Sequence, residues 1–192
     1  MCALLTSRIA LDRAICTTGA GRRGSRRRAG CGGFGRNRGL LKPVYFEDLV
    51  EGYVEESPEM TADRDAMVAY AECNDPYPIH LGDQSAAPSR FGGVIASFGY
   101  TVSLYLRMVH DTELTRATES TFLGALEWRV TFRSAIRPGD RLRVRQTISS
   151  KRLSSRGNRG VVTCRNDVLN QHDELPITID VVWLIATRQN RS

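Results

Sequence analysis

The sequence predicts an α+β domain in which one long buried helix is held in a curved antiparallel sheet. Two observations carry that expectation. Residues 90–111, "RFGGVIASFGYTVSLYLRMVHD", are apolar on nearly every side of a helix, and a helix of that kind must be wrapped by something. The wrapper follows at once, because four successive segments alternate apolar and polar residues with a period of two and are separated by turns of Pro, Gly, Asn, Asp and Ser.

The elements follow in order. After Pro43, "VYFEDLVEGYV" opens the domain. In "MTADRDAMVAYAEC", Thr61 is the expected N-cap, Asp63 and Asp65 fall in the first turn where the helix dipole favours acids, and Met67, Tyr70 and Ala71 share a face. Asn74-Asp75-Pro76 ends this helix. The long helix is expected to begin after Gly92-Gly93, with Val94, Ile95, Phe98, Val102, Leu106 and Val109 at helical spacing and Ala96, Leu104 and Tyr105 opposite. "LEWRVTF" then sets Leu126, Trp128, Val130 and Phe132 on one strand face. A turn at Pro138-Gly139-Asp140 leads into Leu142, Val144 and Ile148, which alternate with arginines. "GVVTCRNDVLN" and "ITIDVVWLIAT" complete the sheet, the latter with Ile177, Ile179, Val181, Trp183 and Ile185 on one face.

The chain has 192 residues, 41% of them hydrophobic, which suffices for one soluble domain with a core. Its formal charge of +6 is unevenly divided. Residues 1–43 hold ten Lys or Arg against Asp12 alone, whereas the rest carries 17 basic and 20 acidic residues, so the basic pI describes an arm and not the domain. The arm is rich in Gly and Arg without helical or strand periodicity, and is expected to be disordered. An organelle-targeting segment, a nucleic-acid-binding tail and an extension without a physical role all fit it, the last best. A secretory signal does not, since the arginines follow the apolar residues. The domain is expected over 44–188, with 189–192 a tail. Only Cys73 and Cys164 fall in the domain, with no C-x-x-C pair, so neither zinc nor a disulfide framework is expected, and a reducing, cytoplasmic setting is. The stretch 94–109 is too short and too polar to span a bilayer.

The stretch "NDPYPIHLGD", 74–83, places an acid, Asp75, and a base, His80, around Pro76 and Pro78. Two prolines fix two φ angles and disfavour helix at the residues before them, so the stretch is expected to be a stiff loop. Stiffness suits a pair that must aim at one point before substrate arrives.

These residues resemble the MaoC-like hydratases and dehydratases of acyl-CoA thioesters, the (R)-specific enoyl-CoA hydratase family with the hotdog fold. Asp75, Pro78 and His80 match the family's D-x-x-P-x-H signature. The similarity continues through "FEDL" at 46–49, "FGGVIAS" at 91–97 and "WRVTFRSAIRPGDRLRVR" at 128–145, and covers about 44–188. The resemblance implies a single hotdog domain and an acid/base role for Asp75 and His80. It also implies an oxyanion donor at the start of the buried helix, near Ser97, Phe98 and Gly99, with no cofactor and no metal. It further implies an acyl-CoA thioester as partner, and a homodimer or a heterodimer with a related hotdog chain. A membrane partner is not expected and nucleic acid is disfavoured. A thioesterase on the same fold and a non-catalytic acyl-binding subunit are the competing readings. His110 and His172 read as solvated, Trp128 and Trp183 as core or subunit-contact residues, and the arginines of 133–156 as a solvated sheet face. Ser97 fits a substrate contact and a bond within its own helix equally well.

Overall fold

A computed structural model describes residues 41–188; the basic arm as far as residue 40 and the tail at 189–192 lie outside them. A short 3-10 turn, Phe46–Asp48, is followed by β1 (Val54–Glu56), β2 (Met60–Thr61), α1 (Arg64–Asn74), α2 (Pro78–Leu81) and α3 (Asp83–Ala86). Next come α4 (Phe98–Val109), α5 (Glu113–Thr118), and the long strands β3 (Phe122–Phe132), β4 (Arg141–Leu153), β5 (Arg159–Leu169) and β6 (Ile177–Ala186). The sheet order is β1-β4-β5-β6-β3, β2 also pairs with β4, and every pairing is antiparallel.

The predicted arrangement, one central helix against an antiparallel sheet, is what forms. Leu142, Val144 and Ile148 of β4 and Ile177, Ile179, Val181, Trp183 and Ile185 of β6 are buried on the face that meets α4. From β5 come Val162, Cys164 and Val168. Burial pushes the Cys164 thiol up to about 12, so at neutral pH it is an apolar packing group and not a nucleophile. A polar line crosses this face: Thr112 donates to Gln146 at 3.2 Å, Gln146 to Asn166 at 3.1 Å, and Asn166 to the Ile179 carbonyl at 3.0 Å. Satisfied in this way, the two fully buried amides cost the core little.

Five sequence expectations need correction. Thr61 does not cap α1; it belongs to β2, and Asp63 caps instead, accepting from the Ala66 amide at 2.8 Å. The loop 74–83 contains a helical turn, because Pro78 sits at the first helical position, where its missing N–H costs nothing and its fixed φ is already helical. The long helix does not begin after Gly92-Gly93. Gly92 takes φ 66°, 94–97 run without helix, and Ser97 caps α4 at Phe98. The buried face of α4 is consequently Tyr100, Thr101, Leu104, Tyr105, Met108 and Val109, while Phe98 is exposed and Val102 and Leu106 are half-buried. Finally, β3 is an edge strand rather than a core strand. Leu126, Trp128 and Phe132 are 59%, 43% and 49% exposed, because the strand has β6 on one side and, among the described residues, no strand on the other. The short strands β1 and β2 carry no alternation long enough to be read from sequence.

Candidate active site

The site is assembled from the C-terminal end of α1, the turn α2 and the start of α4. Asp75 is the C-cap of α1, its amide bonded to the Ala71 carbonyl at 2.9 Å. Its own carbonyl accepts from the Tyr77 amide at 2.7 Å, and the Tyr77 carbonyl accepts from the His80 amide at 2.8 Å. Three backbone bonds therefore fix the path from Asp75 to His80. Ser85 of α3 braces the same turn by donating to the Pro78 carbonyl at 2.9 Å. Rotational freedom is lost on folding, before any ligand arrives.

Two further bonds tie this turn to the approach of α4. The Ile95 amide donates to the Ile79 carbonyl at 3.1 Å, and His80 Nδ1 lies 2.8 Å from the Ile95 carbonyl oxygen. A carbonyl can only accept, so Nδ1 carries the proton. In the neutral ring Nε2 is then the bare nitrogen, and it faces Asp75, with Oδ2 at 3.8 Å. That gap is too long for a direct hydrogen bond and short enough for both atoms to reach one small molecule. The two side chains differ in access: His80 is 10% exposed and Asp75 38%.

Two residues beyond Ile95, Ser97 caps α4 by accepting from the Tyr100 amide at 3.3 Å, and its carbonyl accepts from the Thr101 amide at 3.0 Å. The hydroxyl is buried in that capping role. Of the first four amides of α4 this leaves those of Phe98 and Gly99, and among the described residues neither has a hydrogen-bond partner. They point outward from the positive end of the helix dipole. The structure thus brings Asp75, His80, Ser97, Phe98 and Gly99 to one place. His110 caps the far end of α4, and His172 lies in the turn after β5, so neither belongs to the elements that form the site.

Sequence reasoning missed three supports. The Ile95 carbonyl, which orients His80, leaves no side-chain signal. Arg137 donates to the Phe91 carbonyl at 2.8 Å and pins the loop leading into α4. Tyr70 of α1 lies over the first turn of α4: a Cβ placed on Gly99 would meet its hydroxyl oxygen at 2.3 Å and two ring carbons at 3.0 Å. Gly99→Ala is expected to displace Tyr70, a half-buried ring able to swing, at a cost of about 1 kcal/mol. The Gly99→Ala, Tyr70→Ala pair should be no less stable than Tyr70→Ala alone; denaturant midpoints measure this.

Around the pair the chemistry is narrow. Burial, and then the Asp63 carboxylate, hold the Tyr100 phenol above its ordinary value of 10.0, so it stays protonated. Among the described residues no group of three or more His, Cys, Asp or Glu could hold a metal ion. Phe98 and Phe132 stack edge-on at 5.8 Å beside the free amides and line an apolar approach.

Comparison with known proteins agrees with this architecture. The family model for the MaoC like domain matches residues 45–171. A MaoC-like dehydratase from Rhodospirillum rubrum is 28% identical with a TM-score of 0.70, over 76% of this chain and 98% of that one. The (R)-hydratase from A. caviae involved in PHA biosynthesis is 17% identical with a TM-score of 0.58, over 73% of this chain and 99% of that one. The HadBC (3R-hydroxyacyl-ACP dehydratase) complex from Mycobacterium tuberculosis gives 19% and 0.60, over 71% and 97%. A comparison with curated proteins finds no match. A helix cradled by an antiparallel sheet in this order is the hotdog fold, and with a family match running from Tyr45 to Gln171 the chain belongs to the MaoC-like dehydratase family.

Proposed function

We propose that this protein adds water to the carbon–carbon double bond of an enoyl thioester, or removes it in reverse, with Asp75 and His80 as the acid/base pair. Membership of the family supports hydratase or dehydratase chemistry in general. The observation that carries the finer reading is the bare His80 Nε2 held 3.8 Å from Asp75 Oδ2 beside the two unpartnered amides of α4.

Hydration needs two proton movements. As the water oxygen bonds to the β-carbon, one of its protons passes to the pair, at the bare His80 Nε2 or the Asp75 carboxylate, and the pair then delivers that proton to the α-carbon, so both groups end as they began. His80 Nε2 and Asp75 Oδ2 are the atoms through which it moves. Between the two steps negative charge builds on the thioester oxygen. The Phe98 and Gly99 amides are the donors for that charge, and they require no particular side chain. The thioester carbon–sulfur bond stays intact, so the reaction releases no thiol.

That distinction supplies the test. With crotonyl-CoA and longer enoyl-CoA substrates, loss of enoyl absorbance is expected with no matching release of free thiol. Thiol release at the rate of substrate loss would make the protein a thioesterase, and neither signal would make it a binding subunit.

The edge strand argues for a dimer, with this chain or with a related one. β3 has eleven residues and β6 on one side only, and it exposes Phe122, Leu123, Leu126, Trp128 and Phe132. Long apolar edges are normally covered. Pairing β3 with a partner strand would cover that edge and close the apolar approach at Phe132 and Phe98, so that a substrate tunnel draws on both subunits. Light scattering is expected to give twice the single-chain mass, with activity and mass falling together on dilution. Full activity at single-chain mass would defeat this reading.

A further inference from the structure

The hairpin joining β4 to β5 holds a second concave site on the other face of the sheet. Its floor is apolar: Val161 and Leu184 alternate along their strands with the residues that pack under α4 and so face away from the helix, and Leu126, at the β-bulge between Ala125 and Glu127, joins them. Its rim is cationic, formed by Arg152, Arg156 and Arg159, with Ser154, Ser155 and Asn158 between them.

These arginines differ from the others of the sheet. Arg143 and Arg145 are bonded to Glu56, Arg165 to Asp167, and Arg129 reaches Glu127. Among the described residues, Arg152, Arg156 and Arg159 pair with no carboxylate, and the guanidiniums of Arg156 and Arg159 make no hydrogen bond at all. The Ser155 hydroxyl has no partner there either. Three like charges sharing one depression repel one another, a cost that a bound anion would offset. The frame that holds them is well made. The Ser154 amide bonds the Arg159 carbonyl at 2.8 Å, the Gly157 amide bonds the Ser154 carbonyl at 2.9 Å, and Gly157 takes φ 69°, which favours glycine. Thr187 fastens the Asn158 carbonyl at 3.3 Å.

From these observations we infer that the β4–β5 hairpin is a binding site for a nucleotide, whose phosphoryl groups meet Arg152, Arg156 and Arg159 and whose base lies on the Leu126, Val161 and Leu184 floor. Guanidinium forks match phosphoryl oxygens in pairs, and the apolar floor adds affinity for a flat ring that inorganic phosphate lacks. The site is separate from Asp75 and His80 of the same chain. It lies on the opposite sheet face, and Leu126 is six residues along β3 from Phe132, about 20 Å.

Full-length protein is titrated calorimetrically with ADP, coenzyme A, adenosine and inorganic phosphate. Because the N-terminal arm also attracts anions, the reading is a difference between variants. Arg156→Gln with Arg159→Gln is expected to weaken ADP binding by on the order of tenfold or more. Arg129→Gln with Arg165→Gln, which removes the same formal charge elsewhere on exposed side chains, is expected to leave it unchanged. Coenzyme A weakened in parallel with ADP would make the nucleotide tail of a carrier the natural ligand. Coenzyme A unaffected would make it a free nucleotide. Binding is read without turnover, so the result does not depend on the proposed reaction. The inference is overturned by an ADP affinity unchanged in the hairpin variant, by equal losses in both variants, or by inorganic phosphate binding as tightly as ADP.

Discussion

Replacing His80 with alanine is expected to reduce hydration turnover by on the order of 10²–10⁴-fold, the range for removing a positioned acid or base. Asp75→Asn should fall in the same range, since the amide keeps the size of the side chain and loses its proton chemistry. The two variants should differ in stability. The Asp75 side chain makes no core contact, and its C-cap role is carried by its backbone, so Asp75→Asn should unfold with the wild type. His80 is buried and bonded to the Ile95 carbonyl, so His80→Ala loses that bond at a cost of about 1 kcal/mol. Steady-state kinetics on variants whose denaturation curves have been recorded separate the two effects. Near-normal turnover in either variant would remove that residue from the mechanism.

The largest stability loss is expected at Gly160 on β5. A Cβ there would lie 1.9 Å from Cδ2 of Phe46, 2.3 Å from its Cγ and 2.7 Å from its Cβ. The last distance matters most, because a clash at the root of a side chain cannot be relieved by turning the ring. Phe46 is itself held: its carbonyl accepts from Lys151 Nζ at 3.2 Å, and that ammonium stands 4.9 Å over its ring. Gly160→Ala must therefore expel Phe46 or open the N-terminal edge of the sheet, and should cost about 3 kcal/mol, the upper end for overpacking. Urea unfolding measures it, and a loss within about 0.5 kcal/mol of wild type, the scale of an ordinary surface change, would show that the backbone yields. In a Phe46→Ala background, which keeps the Cβ and removes the ring, the penalty should shrink in part, and in a Phe46→Gly background it should disappear.

The same contact shows where sequence reasoning ends. Phe46 and Gly160 are 114 positions apart, and nothing in either neighbourhood announces that one fills the space the other leaves. Periodicity placed the four long strands and the buried faces of β4 and β6, because one apolar face against a helix is what alternation encodes. In β3 the same alternation has another meaning. Trp128 does touch Tyr105 of α4, ring centroids 5.8 Å apart, yet it remains 43% exposed, because a strand at the sheet edge keeps apolar residues for a surface as well as for a core. Asp75 and His80 could be singled out because proline and titratable residues are visible as letters. What holds them is backbone. The Ile95 carbonyl and the Phe98 and Gly99 amides are properties of a chain path, and a path four residues longer before α4 begins was hidden by apolar residues compatible with helix or with extended chain. Proline misled for a related reason: Pro78 forbids a helix interior but favours a helix start.

The central claim is that Asp75 and His80 act on one water as a unit, and a double-variant cycle in enoyl-CoA hydration tests it most directly. Turnover is measured for the wild type, Asp75→Asn, His80→Ala and the double variant under one set of conditions. If the two groups serve a single transition state, either one is of little use without the other, and the double variant should be only slightly slower than the slower single variant. Losses that multiply, so that the double variant shows the full product of both single effects, would mean that the two side chains act independently, and would contradict the shared-water mechanism.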